Sequence, residues 1–136
     1  MASYFFKTVF FLFLFGLADT CNSIMITLNL KPVEGLTSGI HSDGTLLAEG
    51  EVTVDDSPAT LKILVNENEY VDGTYRINSL NNIGFLSARL ENVQGEPIFD
   101  TTKSDSGILK FRLVTAGDQY IKSDSWRISI NATVLN

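Results

Sequence analysis

Residues 126–134 of the chain are WRISINATV, in which apolar and polar side chains alternate at every position. An alternation with a period of two is typical of a β-strand that packs one face against a core. Edge strands are normally protected by lysine, proline or a bulge, and neither lysine nor proline occurs in this stretch. Since only Leu135 and Asn136 follow it, two interpretations are open. The strand lies centrally in its own sheet, or its free edge pairs with a strand from a partner chain.

Shorter alternating runs precede this stretch, and turn signals such as Asp43-Gly44 separate them. No run has the length and period of a helix, so the pattern predicts an antiparallel β-sandwich. The residues expected to face the core are Ile24, Ile26, Leu28 and Leu30; Leu46, Ala48, Val52 and Val54; Leu61, Ile63 and Val65; Tyr75 and Ile77; Leu86, Ala88 and Leu90; Leu109, Phe111 and Leu113; and Trp126, Ile128, Ile130, Ala132 and Val134.

Composition excludes several classes of protein. A length of 136 residues indicates one domain, and a net charge of −6 argues against binding to nucleic acid. One cysteine, Cys21, and one histidine, His41, are too few for a disulfide scaffold, a zinc site or a nucleophile–base pair. We therefore expect neither an enzyme nor a protein with a metal or another cofactor.

The first 23 residues have the composition of a secretory signal peptide. Residues 9–17 (VFFLFLFGL) form an apolar run that is much shorter than the ~20 residues of a membrane-spanning helix. Small residues place the cut after Ala18 or after Ser23, and the fate of Cys21 depends on which is used. We expect a signal peptide at 1–23 and one exported domain at 24–136.

The remaining polar clusters have ordinary explanations. Asp55-Asp56 precedes Ser57-Pro58 in what is predicted to be a polar turn. His41 lies among Ser, Asp and Gly residues and is expected to be solvated. The loop carboxylates at positions 67, 69 and 72 do not have the spacing of a calcium loop.

The chain resembles the chaperone–usher pilus subunits of the Saf and Afa/Dr branch, and most closely their tip, or invasin, subunits. The similarity covers roughly residues 24–136, and it depends on the order and spacing of several short motifs together. One departure is the absence of the cysteine pair of the Afa/Dr invasins, which favours the Saf side. The motifs are Leu28–Leu36 (LNLKPVEGL), Asp43-Gly44 with Ala48-Glu49-Gly50, Val65-Asn66-Glu67 with Val71-Asp72-Gly73, and Ala116-Gly117-Asp118-Gln119 with Ile121 and Trp126-Arg127-Ile128-Ser129.

This resemblance implies an all-β, immunoglobulin-like antiparallel sandwich that lacks its G strand and is completed by donor-strand complementation. It implies four partners: a periplasmic chaperone, an outer-membrane usher, the N-terminal extension of a neighbouring pilin, and a host-cell receptor. The protein would reach the cell surface through the periplasm and become part of a fimbrium. The residues expected to line the donor-strand groove are Ile24, Ile26, Leu28, Leu30, Ile128, Ile130, Ala132 and Val134.

We therefore predict a non-enzymatic pilus tip subunit that acts in attachment to host cells. With a cut after Ser23, the first strand begins too early to leave room for a donor extension, and a subunit that receives but does not donate belongs at the tip. The alternatives are a shaft pilin of the same pathway, which needs an earlier cut, and a self-contained secreted β-sandwich that binds a ligand.

Overall fold

The computed structural model describes residues 10–18, 26–34, 36–55, 59–65, 70–71, 73–99, 101–104 and 106–135. The regular elements among these residues are all β-strands. No helix within these ranges is long and apolar enough to span a membrane. The strands are β1 (Phe10–Ala18), β2 (Ile26–Pro32), β3 (Gly39–His41), β4 (Leu46–Val54), β5 (Ala59–Val65), β6 (Tyr70–Val71), β7 (Thr74–Asn78), β8 (Phe85–Asn92), β9 (Pro97–Ile98), β10 (Thr101–Ser104), β11 (Ile108–Thr115), β12 (Gln119–Ile121) and β13 (Asp124–Leu135).

The strands form two sheets and one small ribbon. The first sheet has the order β1-β13-β5-β10, and the second has the order β2-β4-β11-β8-β7-β6, with β9 beside β8. Strands β3 and β12 pair as a separate two-stranded ribbon. The described strand pairs are antiparallel, apart from β1 and β13, which run parallel. The predicted immunoglobulin-like antiparallel sandwich is confirmed.

The apolar faces of the two sheets form one core, as the alternation predicts. On β13 every second side chain from Trp126 is buried, and Trp126, Ile128 and Ile130 have no exposed surface. Leu61, Ile63 and Val65 are equally buried on β5, the neighbouring strand. Trp126 is therefore a core residue, as the sequence predicts.

Strand β4 departs from the predicted alternation near its start. Leu46 was expected to face the core but is only half-buried, and Leu47 is fully buried instead. The register shift explains this difference, because Leu113 pairs with Ala48 and Val114 pairs with Leu46. Leu47 is thus the extra residue of a β-bulge, which reverses the direction of side chains on one side of it.

His41 also differs from the prediction. It is half-buried on β3 rather than solvated, and its Nε2 lies 2.7 Å from the carbonyl oxygen of Thr37. Since a carbonyl oxygen only accepts hydrogen bonds, Nε2 is the nitrogen that donates here.

Gly50 on β4 allows an aromatic ring to enter the core. Gly50 and Phe111 are directly opposite each other across β4 and β11, and Phe111 is 1% exposed. A Cβ atom on residue 50 would overlap Cζ, Cε1 and Cε2 of the Phe111 ring. Glycine is therefore required at this position by the packing of the ring, in a strand where it otherwise weakens the sheet.

Gly50→Ala is expected to destabilise the protein by about 1–3 kcal/mol, because the ring must leave its position in a packed core. Urea unfolding at neutral pH measures the change. Gly84→Ala is the matched control, since its Cβ would meet only the Lys122 side chain, with Cδ at 3.3 Å. Equal stability of the two variants would show that Phe111 does not need the space above Gly50.

Candidate functional site

The outer edge of β13 is completed by a strand that precedes the body of the sandwich. On one side, residues 130–135 of β13 pair with β5. On the other side, residues 124–132 pair with β1 in parallel. Strand β1 also contacts β2, so it lies in the gap between the first and last strands of the body. We call this gap, bounded by β2 and β13, the donor groove.

The register of β1 matches the buried face of β13. Leu12, Leu14, Gly16 and Ala18 are the Cα partners of Trp126, Ile128, Ile130 and Ala132, respectively. Every second residue of β1 therefore lies beside a buried apolar residue of β13. This arrangement is the geometry of β-augmentation, in which an added strand supplies main-chain hydrogen bonds along a sheet edge.

The residues predicted to line the donor groove are on the two strands that flank β1. On β13, Ile128, Ile130, Ala132 and Val134 are all buried. On β2, Ile26 is buried, whereas Leu28 and Leu30 are partly buried and pack against the core. Ile24 lies outside the described residues. The acceptance of a partner's strand by these residues stays a prediction.

Strand β1 is not among the strands that the sequence pattern predicts. Residues 9–17 were interpreted only as the apolar part of a signal peptide, yet residues 10–18 form β1 here. A short continuous apolar run fits a buried strand as well as a leader, and its length alone does not separate the two. Removal of the leader by a peptidase stays a prediction.

Asp124, a second feature that the sequence did not indicate, fastens the start of β13. Its side chain is almost fully buried and accepts hydrogen bonds from Asn81 Nδ2 at 2.7 Å and from the Ser125 N–H at 2.7 Å. Oδ2 accepts a further one from the Asn81 N–H at 3.2 Å. Burial by itself raises the pKa of Asp124, but the hydrogen bonds from Ser79, Ser125 and Asn81 outweigh it, so the pKa lies below its usual value.

The described residues bring together no set of side chains that could bind a metal ion. Within the described ranges, no three His, Cys, Asp or Glu side chains come together in a way that could hold a metal ion. Residues 56, 67, 69 and 72, which carry most of the carboxylates weighed above, lie outside those ranges. The donor groove presents apolar side chains of β2 and β13 together with the backbone edge of β13, with which β1 pairs.

Comparison with solved structures identifies the fold. The Salmonella SafD adhesin superposes with a TM-score of 0.69 at 20% identity, over 81% of this chain and 84% of that one. HdaB, the minor tip subunit of the Escherichia coli Hda pilus, gives a TM-score of 0.64 at 18% identity, over 80% and 82%. No protein-family model matches the chain, and no curated protein matches it by sequence.

A third structure is relevant to the groove. CssB of enterotoxigenic Escherichia coli colonization factor CS6, complemented with a donor strand from CssA, superposes with a TM-score of 0.52 at 10% identity, over 80% of this chain and 97% of that one. At these identities the likeness concerns the fold. The chain has the immunoglobulin-like fold of pilus subunits, and the predicted resemblance is confirmed at that level.

Occupation of the donor groove is expected to determine stability. Four inserted apolar side chains, at about 1.5–3 kcal/mol each, contribute roughly 6–12 kcal/mol of gross burial, which is comparable to the whole stability of a domain. A chain that starts at Ile24 should therefore be marginal, and the same chain with a donor peptide fused after Asn136 through a flexible linker should melt at a much higher temperature.

Ile130→Asp tests the same groove at one of its predicted lining residues, since Ile130 on β13 has no exposed surface. An unpaired carboxylate there is costly to desolvate, so the fused donor should no longer raise the melting temperature. Glu49→Gln, on an exposed side chain of β4, is the control and should leave the gain intact. Near-equal melting temperatures of the lone and fused chains, with the lone chain monomeric, would mean that the sandwich is complete without a donor.

The lowered pKa of Asp124 predicts that the free energy of unfolding falls at acidic pH. Because its pKa is lower in the folded chain than in the unfolded chain, its contribution is full above the unfolded value of about 3.9 and is lost as the pH falls through the folded value. Urea unfolding at pH 7 and pH 3 should show a larger loss for the natural chain than for Asp124→Asn. Equal losses would contradict a stabilising role of the ionised carboxylate, and Glu49→Gln controls for net charge.

Proposed function

We propose that the chain is a pilus tip subunit of the adhesin or invasin type, which is exported through the periplasm and acts in attachment to host cells. The observation that carries the proposal is the edge of β13, which a strand from outside the sandwich body completes. The fold that surrounds this edge is like that of SafD, an adhesin, and of HdaB, a minor tip subunit of a pilus.

The groove suits a sequence of strand exchanges during assembly. A periplasmic chaperone first covers the edge of β13, and the N-terminal extension of a neighbouring pilin then replaces it at the outer-membrane usher. The CssB structure, with its strand from CssA, supports this mechanism for a protein of similar fold. An apolar groove with an open backbone edge is an aggregation hazard, so continuous occupation protects the subunit.

The length of chain before β2 supports a position at the tip. Strand β1 uses nine residues to cover the edge of β13. With the proposed cut after Ser23, only Ile24 and Met25 precede β2, which begins at Ile26. Two residues cannot complete a neighbouring subunit, so the mature chain would receive a donor strand without supplying one. A shaft pilin would need an earlier cut that leaves an N-terminal extension before β2.

The proposed role is recognition and assembly, and it includes no reaction. The similar solved structures are of pilus subunits. A self-contained secreted β-sandwich that binds a ligand is the competing function, and it differs in one property. It would fold as a stable monomer with no donor strand at all.

Mixing experiments with the processed protein separate these functions. The mature chain should take up a synthetic peptide of a co-expressed pilin's N-terminal extension and should stay a single subunit on size-exclusion chromatography with light scattering. Its N-terminal sequence should begin at Ile24. Linear self-assembly through its own N-terminus would place it in the shaft instead.

The same mixture also tests the competing function. A stable monomer that ignores the peptide would identify a self-contained module and would overturn the assignment to a pilus. The control peptide carries aspartate at two alternate apolar positions, which should abolish uptake because buried charges are costly.

A further inference from the structure

A second concave site lies on the sandwich, and it is separate from the donor groove. It is a cleft of about 550 Å³ between the β7–β8 turn on one side and β12 on the other, with none of its lining residues on β2 or β13. This volume is within the usual range of small-molecule sites, about 300–1,000 Å³. We call it the loop cleft, and Arg76, Asn78, Phe85, Tyr120 and Lys122 are the lining residues that matter below.

Hydrogen bonds stabilise the turn that forms one wall of the cleft. The Ser79 N–H donates to the Gly84 carbonyl at 3.0 Å, and the Asn82 N–H donates back to the Ser79 carbonyl at 3.0 Å. The Ile83 N–H donates to the Ser79 hydroxyl at 3.0 Å, and Lys122 Nζ donates to the Ile83 carbonyl at 2.9 Å. A wall fixed in this way loses little conformational entropy when a ligand binds.

Gln119 fixes the floor of the loop cleft. Its Oε1 accepts a hydrogen bond from the Ser87 N–H at 2.9 Å, and its Nε2 donates to the Ser87 carbonyl at 2.9 Å. One amide side chain therefore replaces a pair of strand hydrogen bonds between β8 and β12. The two sides of the cleft are joined through this amide.

Two aromatic rings are exposed where the cleft opens. Phe85 is 48% exposed and Tyr120 is 61% exposed, in a concave site and not on a flat surface. Aromatic rings stabilise a fold when they are buried, so exposed rings that gather in a cleft indicate a binding surface. The guanidinium of Arg76 lies 3.9 Å from the centre of the Phe85 ring, which orients both groups.

The charge of the loop cleft is opposite to that of the chain. The chain has a net charge of −6, yet the cleft holds Arg76 and Lys122 against a single carboxylate, Asp118. Asp118 is already engaged, because its Oδ1 accepts the Asp43 N–H at 2.8 Å. Among the described residues, neither cation takes part in a salt bridge. An arginine that forms no salt bridge with a described carboxylate offers a planar fork, which fits the carboxylate of a ligand through two hydrogen bonds.

We propose that the loop cleft binds a saccharide that carries a carboxylate. The exposed faces of Phe85 and Tyr120 stack on the apolar face of a sugar ring, and Arg76 pairs with its carboxylate. The amide of Asn78 donates and accepts hydrogen bonds, as the hydroxyl groups of a sugar require. The site would supply the recognition step of the proposed function, and the inference rests on that function for the biological source of the sugar.

The test uses the full chain, in which β1 occupies the groove, so donor exchange does not enter the measurement. Calorimetric titrations use 3′-sialyllactose, a hyaluronan tetrasaccharide as a second carboxylated probe, lactose as the matched neutral sugar, and hexaglutamate as an acidic peptide. Binding to at least one carboxylated sugar, at least about tenfold tighter than to lactose or hexaglutamate, is expected.

Variants locate the binding site. Arg76→Gln should weaken the binding of the carboxylated sugar at least about tenfold and leave the weak binding of lactose unchanged, whereas Arg76→Lys should lose part of the affinity because it keeps the charge without the fork. Tyr120→Ala should weaken both sugars. Lys103→Gln removes an exposed cation outside the cleft and is the control. Since these side chains are exposed, the variants should melt at the temperature of the natural chain.

Three results would overturn the proposal. They are no binding of either carboxylated sugar, an affinity for both carboxylated sugars no higher than that for lactose, and binding of hexaglutamate alone with the same dependence on Arg76, which would make the cleft a peptide site. A failure of the pilus function appears elsewhere, in the mixing experiment with the donor peptide, so the two failures are distinguishable.

Discussion

The pairing of β1 with the outer edge of β13 is the interaction on which the rest of the sandwich depends. Strand β13 carries Trp126, Ile128 and Ile130, which are fully buried. The core is therefore packed only when this strand is in its place. Residues 130–135 pair with β5, and Trp126 forms a bridge with Ser79 at the end of β7. Among the described residues, β5 pairs with residues 130–135 of β13, so the regular ladder along residues 124–129 comes from β1.

The alternation of residues 126–134 predicted both the strand and its buried face, because a strand that packs one face on a core must alternate with a period of two. Alternation also predicted the core residues of β5, β7 and β8 correctly. It failed at Leu46, since the bulge arises from the register between β4 and β11 and has no local signal. It failed again at His41, whose partner, the carbonyl of Thr37, belongs to a loop that the sequence pattern does not define.

The sequence predicted which two body strands flank β1, whereas the role of these strands in accepting a donor stays a prediction. Ile26, Ile128 and Ile130 were expected at its walls because of the apolar alternation on the first and last body strands, and the structure brings those strands to either side of β1. The identity of β1 was beyond the sequence, because an apolar run of nine residues satisfies a leader and a buried strand equally. Asp124 was missed for a related reason. A single aspartate is not part of any sequence pattern. The residue that Asp124 binds, Asn81, is distant along the chain.

The donor groove and the loop cleft share no lining residue on β2 or β13, yet the β7–β8 turn touches both sites. At the start of β13, the Asn81 side chain donates a hydrogen bond to Asp124, and the Leu80 N–H donates one to the Ser125 carbonyl. The next two residues of the turn, Asn82 and Ile83, form a wall of the cleft. The turn is thus held both by its own hydrogen bonds, such as that from the Ser79 N–H to the Gly84 carbonyl, and by the hydrogen bonds that it makes with the start of β13. Because β1 pairs with residues 124–132, the strand in the donor groove and the β7–β8 turn meet the same end of β13. The position of this end of β13 therefore affects the donor groove and the wall of the loop cleft together.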